Sequence, residues 1–187
     1  MYKLKFNEKK HIYTRNGTRI PNVTGIISSV IPRDFNATEW QMNRGTAVHR
    51  AMALFMQGRL NEKSVDERIR GKVEAGKRAV KELSLKPPYV IEKPLFHKIY
   101  NYAGKPDVLA GTILADWKSS SEKITEIQMG GYYLLFDSNG YKVKKLLEIV
   151  LSDNGKYKVT EFKIPRSKRL FLSCLTMSNF MAKKGGE

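Results

Sequence analysis

Hydrophobic and polar residues alternate at the start of the chain, and the alternation predicts a β-hairpin. Leu4 and Phe6 are apolar positions two residues apart, and Ile12 begins a second apolar run. Asn16-Gly17 separates this run from Ile20. Asn-Gly between two alternating runs is a strong signal for a tight turn between antiparallel strands. We therefore expect an N-terminal hairpin.

The apolar spacing then changes to that of α-helices. Thr24 is placed to cap a short helix that ends before Pro32. Residues 38–57 predict a longer amphipathic helix, and residues 65–85 predict another, more polar one. The apolar stripe expected on the first long helix consists of Trp40, Ala47, Val48, Ala51, Met52 and Phe55.

From residue 89 onward the apolar period becomes two, which predicts β-strands. Three consecutive strands are expected, over residues 89–97, 100–109 and 112–118. The remaining expected elements are a helix over 123–136, strands near 143–151 and 156–164, and an amphipathic helix over 167–182. The order helix, three strands, helix, strand predicts an α/β (mixed α+β) fold, in which helices flank a mixed central sheet.

Length and composition indicate a globular protein. The chain has 187 residues, of which 41% are apolar and 28% are charged, and this length suits one domain with a sizeable core. We expect a single domain over 1–187, with the hairpin in 1–24, the core in 38–164 and a C-terminal helix in 167–182.

Several protein classes are excluded by what the sequence lacks. No apolar run approaches the roughly 20 residues of a membrane span, and no apolar segment follows the N-terminal charges as in a signal peptide. The single cysteine, Cys174, allows neither an internal disulfide nor a cysteine-ligated iron–sulfur cluster or zinc site. We therefore expect a cytoplasmic protein that does not insert into membranes.

The charge of the chain indicates its class of partner. The formal net charge is +16, and the basic residues are scattered along the sequence. Such a balance favours a polyanion, with nucleic acid the first candidate and an anionic membrane surface the second. A solvated basic surface without a partner is the alternative, so the charge alone predicts no chemistry.

The third predicted strand carries the most specific candidate chemistry. Asp116 and Lys118 lie two residues apart, so they project from one face of the strand at the edge of an apolar segment. A hairpin with the preceding strand would bring Asp107 close to Asp116. Two converging carboxylates repel each other unless a cation neutralises them, and oxygen ligands favour Mg²⁺ or Mn²⁺ over Zn²⁺. Taken alone, Asp-x-Lys would be an ordinary surface ion pair.

Together these residues resemble the PD-(D/E)XK nuclease motif, here Pro106-Asp107 followed by Asp116-Trp117-Lys118. The predicted αβββαβ order is also the core of that superfamily, the restriction-endonuclease-like fold. Four more segments, in the order of the family, make the resemblance more specific, to the RecB-type exonuclease branch. They are Arg44 to His49 (Gly-x-x-x-His), Glu92 to Leu95, Gly104 to Asp107 (Gly-x-x-Asp) and Gln128 to Tyr132 (Gln-x-x-x-Tyr). It covers roughly residues 10–136.

The resemblance implies metal-dependent hydrolysis of a phosphodiester bond. The implied ligands of one or two Mg²⁺ or Mn²⁺ ions are His49, Asp107, Asp116 and the main-chain carbonyl of Trp117. Lys118 would position or help deprotonate the attacking water and stabilise the transition state, and Glu92 is a further catalytic candidate. The residues implied to hold the nucleic acid are Gln128, Tyr132 and Arg44.

The function implied is that of a stand-alone exonuclease of the size found in phages and mobile elements, without an iron–sulfur cluster. It would process single- or double-stranded DNA ends in recombination, replication or repair. Two alternatives stay open: a structure-specific endonuclease for flaps or junctions, and a non-catalytic basic nucleic-acid-binding protein. A homo-oligomer, or a phage or host recombination protein as partner, is also open. His49 could instead be a core histidine, and Glu92 could pair with Lys93 or Lys105.

Overall fold

The computed structural model describes residues 4–8, 10–32 and 38–184, and in this part of the chain it has ten strands and five α-helices. The first half contains β1 (Leu4–Asn7), β2 (Ile12–Arg15), β3 (Thr18–Ile20), α1 (Val23–Val30), α2 (Glu39–Met56) and α3 (Glu67–Glu82). The second half contains β4 (Tyr89–Ile91), β5 (Leu95–His97), β6 (Tyr102–Gly104), β7 (Val108–Ala110), β8 (Ile113–Lys118), α4 (Thr125–Ser138), β9 (Lys145–Leu151), β10 (Tyr157–Phe162) and α5 (Ile164–Lys184). No helix of the described segments is long and apolar enough to cross a membrane.

A five-stranded mixed sheet forms the centre of the fold. Its strand order is β10-β9-β8-β7-β4. Strands β4, β7 and β8 pair antiparallel, whereas β9 runs parallel to β8 because α4 carries the chain across between them. When only the strands of the central sheet are counted, helix α3 is followed by the three strands β4, β7 and β8, then by helix α4 and strand β9. The predicted fold class and its αβββαβ order are thus confirmed.

Helices cover both faces of the central sheet and bury two separate apolar layers. Leu114 of β8 packs in the layer of α1, α4 and α5. Ala115 and Trp117 of the same strand pack in the layer of α2 and α3. This division follows from the period of two in a strand. Strand β8 therefore ends between two helical layers, where few positions remain open to solvent.

The two predicted strands before β8 are each broken in the middle. Residues 89–97 form β4 and β5, and residues 100–109 form β6 and β7. The first break contains Glu92, whose φ of 44° is left-handed, and the second contains Pro106, which has no backbone N–H for a sheet. Strands β5 and β6 pair with each other in a separate two-stranded ribbon.

The N-terminal strands form a three-stranded antiparallel sheet with the predicted turn at Asn16-Gly17. The φ values of 49° and 88° at this turn are the left-handed ones that Asn and Gly tolerate. The predicted cap at Thr24 is wrong. The cap lies two residues earlier, at Asn22, whose side chain accepts the hydrogen bond from the Gly25 N–H at 2.7 Å, and α1 begins at Val23.

The apolar stripe predicted for α2 is correct only in its second half. Trp40 is 53% exposed and Ala47 is exposed as well. The buried residues of the helix are Val48, Ala51, Met52 and Met56. The first turns of α2 therefore extend past the layer that α2 and α3 form on the sheet. Spacing along a helix cannot reveal where the covering surface ends.

Helices α4 and α5 approach each other closely at Gly130. A Cβ atom at this position would overlap the carbonyl oxygen of Ser167, which is backbone and cannot turn aside. The next residue, Gly131, packs in the same way against the ring of Phe171, 2.7 Å from its ideal Cβ position. The depth at which α4 is buried therefore depends on two glycines.

We expect Gly130→Ala to destabilise the fold by about 1–3 kcal/mol or more, because the added methyl group forces the two helices apart. The matched control is Gly45→Ala in α2, where no atom of the described residues outside the helix's own backbone lies within 4 Å of the Cβ position. There alanine should stabilise the helix by about 1 kcal/mol. Free energies of unfolding in urea measure both effects. Equal stability of the two variants would contradict the close approach.

Candidate active site

The candidate site lies where β7 begins and β8 ends, beneath the middle of α2. In the β7–β8 hairpin Val108 is paired with Ala115, so the preceding Asp107 falls beside Asp116. The Trp117 N–H donates a hydrogen bond to Asp107 Oδ2 at 2.8 Å. The hairpin thus brings the two carboxylates together, because its two-residue connection fixes their register.

Helix α2 adds an imidazole to the two carboxylates. His49 Nδ1 lies 3.0 Å from Asp107 Oδ1 and forms a hydrogen bond with it. Asp107 therefore contacts α2 through one carboxylate oxygen and β8 through the other. The side chain that the sequence left open as a core histidine points instead at the carboxylate pair.

Lys118 lies on the same face of β8 as Asp116. Its Nζ is 2.7 Å from Asp116 Oδ2 in an ion pair whose angles are not those of a hydrogen bond. The same Nζ donates a hydrogen bond to Gln128 Oε1 of α4 at 3.0 Å. A carboxylate and an amide oxygen together hold the ammonium in place.

The hydrogen-bond chain continues along α4. Gln128 Nε2 donates to the hydroxyl of Tyr132 at 2.9 Å, which the spacing of four residues on one helix face allows. Both side chains are buried. The structure therefore brings both residues to the site, as groups packed behind Lys118. Their contact with nucleic acid stays a prediction.

Burial and charge make the two carboxylates unequal. The pKa of Asp116 is raised to about 6, because burial and the neighbouring Asp107 raise it more than Lys118 lowers it. Burial also raises the pKa of Asp107, but His49 outweighs it and the net shift is downward. Asp107 is thus the more firmly ionised carboxylate of the pair.

The pKa values of the two basic groups are both raised. Burial lowers the pKa of His49, but the charge and hydrogen bond of Asp107 outweigh burial and the net shift is upward. The pKa of Lys118 is likewise raised, because Asp116 outweighs the loss of hydration. The site is a compact cluster of two acidic and two basic groups that neutralise each other.

The donor set of the site is compatible with a divalent cation. The buried Asp116 carboxylate and the partly buried Asp107 carboxylate lie side by side, and one imidazole joins them. Among the described residues Asp116 Oδ2 has the ion pair with Lys118 but no hydrogen bond. Carboxylate oxygens are the ligands that Mg²⁺ and Mn²⁺ prefer. Within the described segments, however, no three His, Cys, Asp or Glu side chains already converge as a metal site. In this arrangement His49 and Lys118 engage the carboxylates.

Glu92 adjoins the site through its main chain. Its backbone N–H donates a hydrogen bond to the Asp107 carbonyl at 2.9 Å. Its carboxylate pairs with Lys105, with Nζ and Oε2 3.0 Å apart. The structure therefore contains the ion pair that the sequence gave as the alternative for Glu92, and a catalytic role for the carboxylate stays a prediction.

Arg44 connects three elements beside the site. Its guanidinium donates hydrogen bonds to the main-chain carbonyl of Arg68 on α3, from Nε at 2.9 Å and from Nη2 at 2.6 Å, and it pairs with Asp153 in the β9–β10 turn. It also lies over the ring of Trp40, 5.2 Å from the ring centre. Its predicted contact with nucleic acid stays a prediction.

Sequence reasoning missed a buried acidic residue next to the site. Glu148 of β9 is fully buried and is the register partner of Asp116. Ser121 donates a hydrogen bond to its Oε2 at 2.6 Å, and its Oε1 has no partner in the described residues. Glu148 thereby anchors the loop that follows Lys118. The sequence could have indicated a buried acid here, because Glu148 is the single acidic residue in the apolar run from Leu146 to Leu151.

No protein-family model matches the chain, and no curated protein sequence matches it. Among solved structures, the chain is similar to an alkaline exonuclease (LHK-Exo) from Laribacter hongkongensis, with 14% sequence identity. The alignment covers 85% of this chain and 90% of that chain, with a TM-score of 0.42. At this TM-score the likeness carries no argument about function. Membership of the RecB-type branch stays a prediction.

The buried Gln128–Tyr132 hydrogen bond leads to a stability prediction. Tyr132→Phe removes the hydroxyl and leaves the Gln128 amide without its acceptor, so we expect a loss of about 1–3 kcal/mol in the free energy of unfolding. The matched control is Tyr133→Phe, because the neighbouring hydroxyl makes no hydrogen bond among the described residues. Urea unfolding measures both variants. A loss of the same size in Tyr133→Phe would contradict the assignment.

Proposed function

We propose that this chain is a divalent-metal-dependent DNA nuclease that hydrolyses phosphodiester bonds and acts as an exonuclease on DNA ends. The observation that carries the proposal is the cluster of the partly buried His49, Asp107 and Lys118 around the buried Asp116. The two carboxylates have pKa values shifted in opposite directions, and the lysine beside them is held in place by Gln128. Such shifted pKa values are typical of functional sites and are not expected in an ordinary surface ion pair. Processing of ends in recombination, replication or repair is the role we infer for it.

The metal-binding part of the proposal concerns four groups. His49, Asp107, Asp116 and the main-chain carbonyl of Trp117 would hold Mg²⁺ or Mn²⁺. The bound ion would supply Lewis-acid chemistry, since it makes water a better nucleophile and offsets charge on the phosphate. Binding would require His49 to release its hydrogen bond to Asp107, and the ion would take over the neutralising role of that contact.

Lys118 would act on the attacking water and the phosphate. Because Asp116 raises its pKa, the side chain stays an ammonium group and donates hydrogen bonds rather than accepting a proton. Gln128 fixes the position of Nζ, so the donor is in place before the substrate arrives. Preorganised donors of this kind stabilise the charge that develops on phosphoryl oxygens in the transition state.

DNA is the substrate that the charge of the protein supports. The net charge of +16 attracts a polyanion, and neutralisation of phosphates releases counterions from DNA. A cleft of about 550 Å³ leads to the site, and both His49 and Lys118 line it. A negatively charged strand would reach the carboxylates through this basic cleft.

The deciding experiment compares end-labelled linear DNA with covalently closed circular DNA, each single- and double-stranded. With Mg²⁺ or Mn²⁺ we expect linear DNA to be degraded and circular DNA to survive, and EDTA should abolish degradation. Cleavage of circles or of flap substrates would indicate the structure-specific endonuclease instead. Undiminished cleavage in EDTA would refute the metal-dependent reaction.

Two substitutions separate a nuclease from a binding protein. Asp116→Asn removes one charge that would hold the cation, and Lys118→Ala removes the ammonium group but leaves the proposed ligands. Both should lower the cleavage rate by at least about a hundredfold. Ca²⁺ binding, measured by calorimetry, should weaken in Asp116→Asn and stay near wild type in Lys118→Ala.

The control for these variants is Lys158→Ala, which removes an exposed lysine from β10. It should cut at the wild-type rate. DNA binding, measured by fluorescence anisotropy without metal, should persist in all three variants because scattered basic residues provide it. If folded Asp116→Asn and Lys118→Ala cut as fast as wild type, the chain is a basic binding protein.

A further inference from the structure

The cleft above the carboxylates extends well beyond them, along the first turns of α2. Trp40 and Arg44 line it there, and Lys72 of α3 lines the same cleft, near the Asp153 carboxylate that pairs with Arg44. None of the proposed catalytic steps uses Trp40 or Lys72. The cleft is continuous, since the residues that line it include His49 and Lys118.

Trp40 presents a large aromatic surface at the mouth of this cleft. Its side chain is 53% exposed, although tryptophan is among the most buried residue types on average. The guanidinium of Arg44 lies 5.2 Å from the ring centre, and it is itself hydrogen-bonded to Arg68 and paired with Asp153. The indole therefore rests on a fixed support and stays open to a ligand.

Lys72 places a nearly buried ammonium group at the same end of the cleft. Its Nζ donates one hydrogen bond, to the Leu151 carbonyl at 2.8 Å, and the Asp153 carboxylate is 3.9 Å away. Burial lowers the pKa of Lys72, with Asp153 opposing the shift. An ammonium group has three donors, so this one can also bind an anion that enters the cleft.

We infer that this end of the cleft is a nucleotide subsite, in which Trp40 stacks on an unpaired base and Lys72 contacts the phosphate of the same strand. The inference rests on the proposed nuclease function and deepens it. Both faces of a base inside a duplex are covered by its neighbours, so such a base can stack on an indole only when it has left its own helix. The strand would therefore enter the site single-stranded, from a single-stranded substrate or a frayed end.

Single-stranded DNA fits this surface better than a duplex. Stacking on aromatic side chains together with a cationic groove is the usual mode of single-strand binding. The exposed indole and the ammonium group are contributed by two different helices, α2 and α3, to one cleft. A duplex keeps its bases paired and offers Trp40 only a backbone, which gains nothing from an aromatic ring.

The test measures binding by fluorescence anisotropy in EDTA, where no cleavage is expected. The probes are an oligothymidylate, an abasic oligomer of the same length, and a hairpin of matched charge whose loop is abasic, so that every base in it is paired. Trp40→Ala should weaken binding of the oligothymidylate about tenfold and leave the abasic oligomer and the hairpin unchanged. Lys72→Gln should weaken both single strands alike and reduce the dependence of affinity on salt by about one phosphate contact.

Matched controls are available elsewhere on the surface. Phe180→Ala removes an aromatic ring that is also 53% exposed but lies on α5, on the opposite face of the sheet, and it should change nothing. Lys158→Ala provides the same control for charge. Circular dichroism identifies variants that fail to fold. Because Trp40 is exposed, we expect Trp40→Ala to fold, and it tests the subsite even if the variant of the buried Lys72 does not fold.

Wild-type affinity of Trp40→Ala for the oligothymidylate would overturn the subsite. An equal loss on the abasic oligomer or on the hairpin would also overturn it, because Trp40 would then not read an unpaired base. The outcome is distinguishable from failure of the nuclease proposal. If Asp116→Asn still cut DNA, the proposed reaction would be refuted, and the binding measurements with Trp40→Ala would still decide the subsite.

Discussion

Repulsion between the carboxylates of Asp107 and Asp116 is the constraint on which the rest of the site depends. The β7–β8 hairpin holds the two groups side by side, and burial removes most of the water that would screen them, fully at Asp116 and in part at Asp107. Two basic groups offset this cost, His49 from α2 and Lys118 from β8. Because one compensating group comes from helix α2 and the other from the sheet, the helix and the sheet must pack together before the carboxylates can be accommodated.

Helix α4 shows how packing and positioning are joined in one element. Most of its residues are buried, and Gly130 allows α5 to approach its backbone. The same depth carries Gln128 to the ammonium of Lys118 and to the hydroxyl of Tyr132. A shallower α4 would leave the lysine with Asp116 as its partner and without a neutral acceptor. The glycine contacts therefore contribute to the geometry of the site as well as to stability.

Local features of the chain were predictable, whereas features set by neighbouring elements were not. The period of α2 gave its bounds within a residue at each end, and the short hairpin gave the approach of Asp107 to Asp116. The exposure of Trp40 depends on where the covering layer ends, and the strand breaks at 92–94 and 105–107 depend on the ribbon of β5 and β6. The burial of Glu148 could have been predicted from its apolar neighbours in the sequence, but the residue belongs to no recognised motif.

Asp107 uses its two oxygens to contact two different elements, the ring of His49 and the N–H of Trp117. This makes the site sensitive to strand alignment. If the hairpin slipped by one residue, every side chain on the slipped strand would turn to the opposite face, and the carboxylate would lose both contacts together. Misaligned sheets would then be penalised by an uncompensated buried charge. The contacts of the site thus favour the correctly aligned hairpin, since only that register brings Asp107 to both partners.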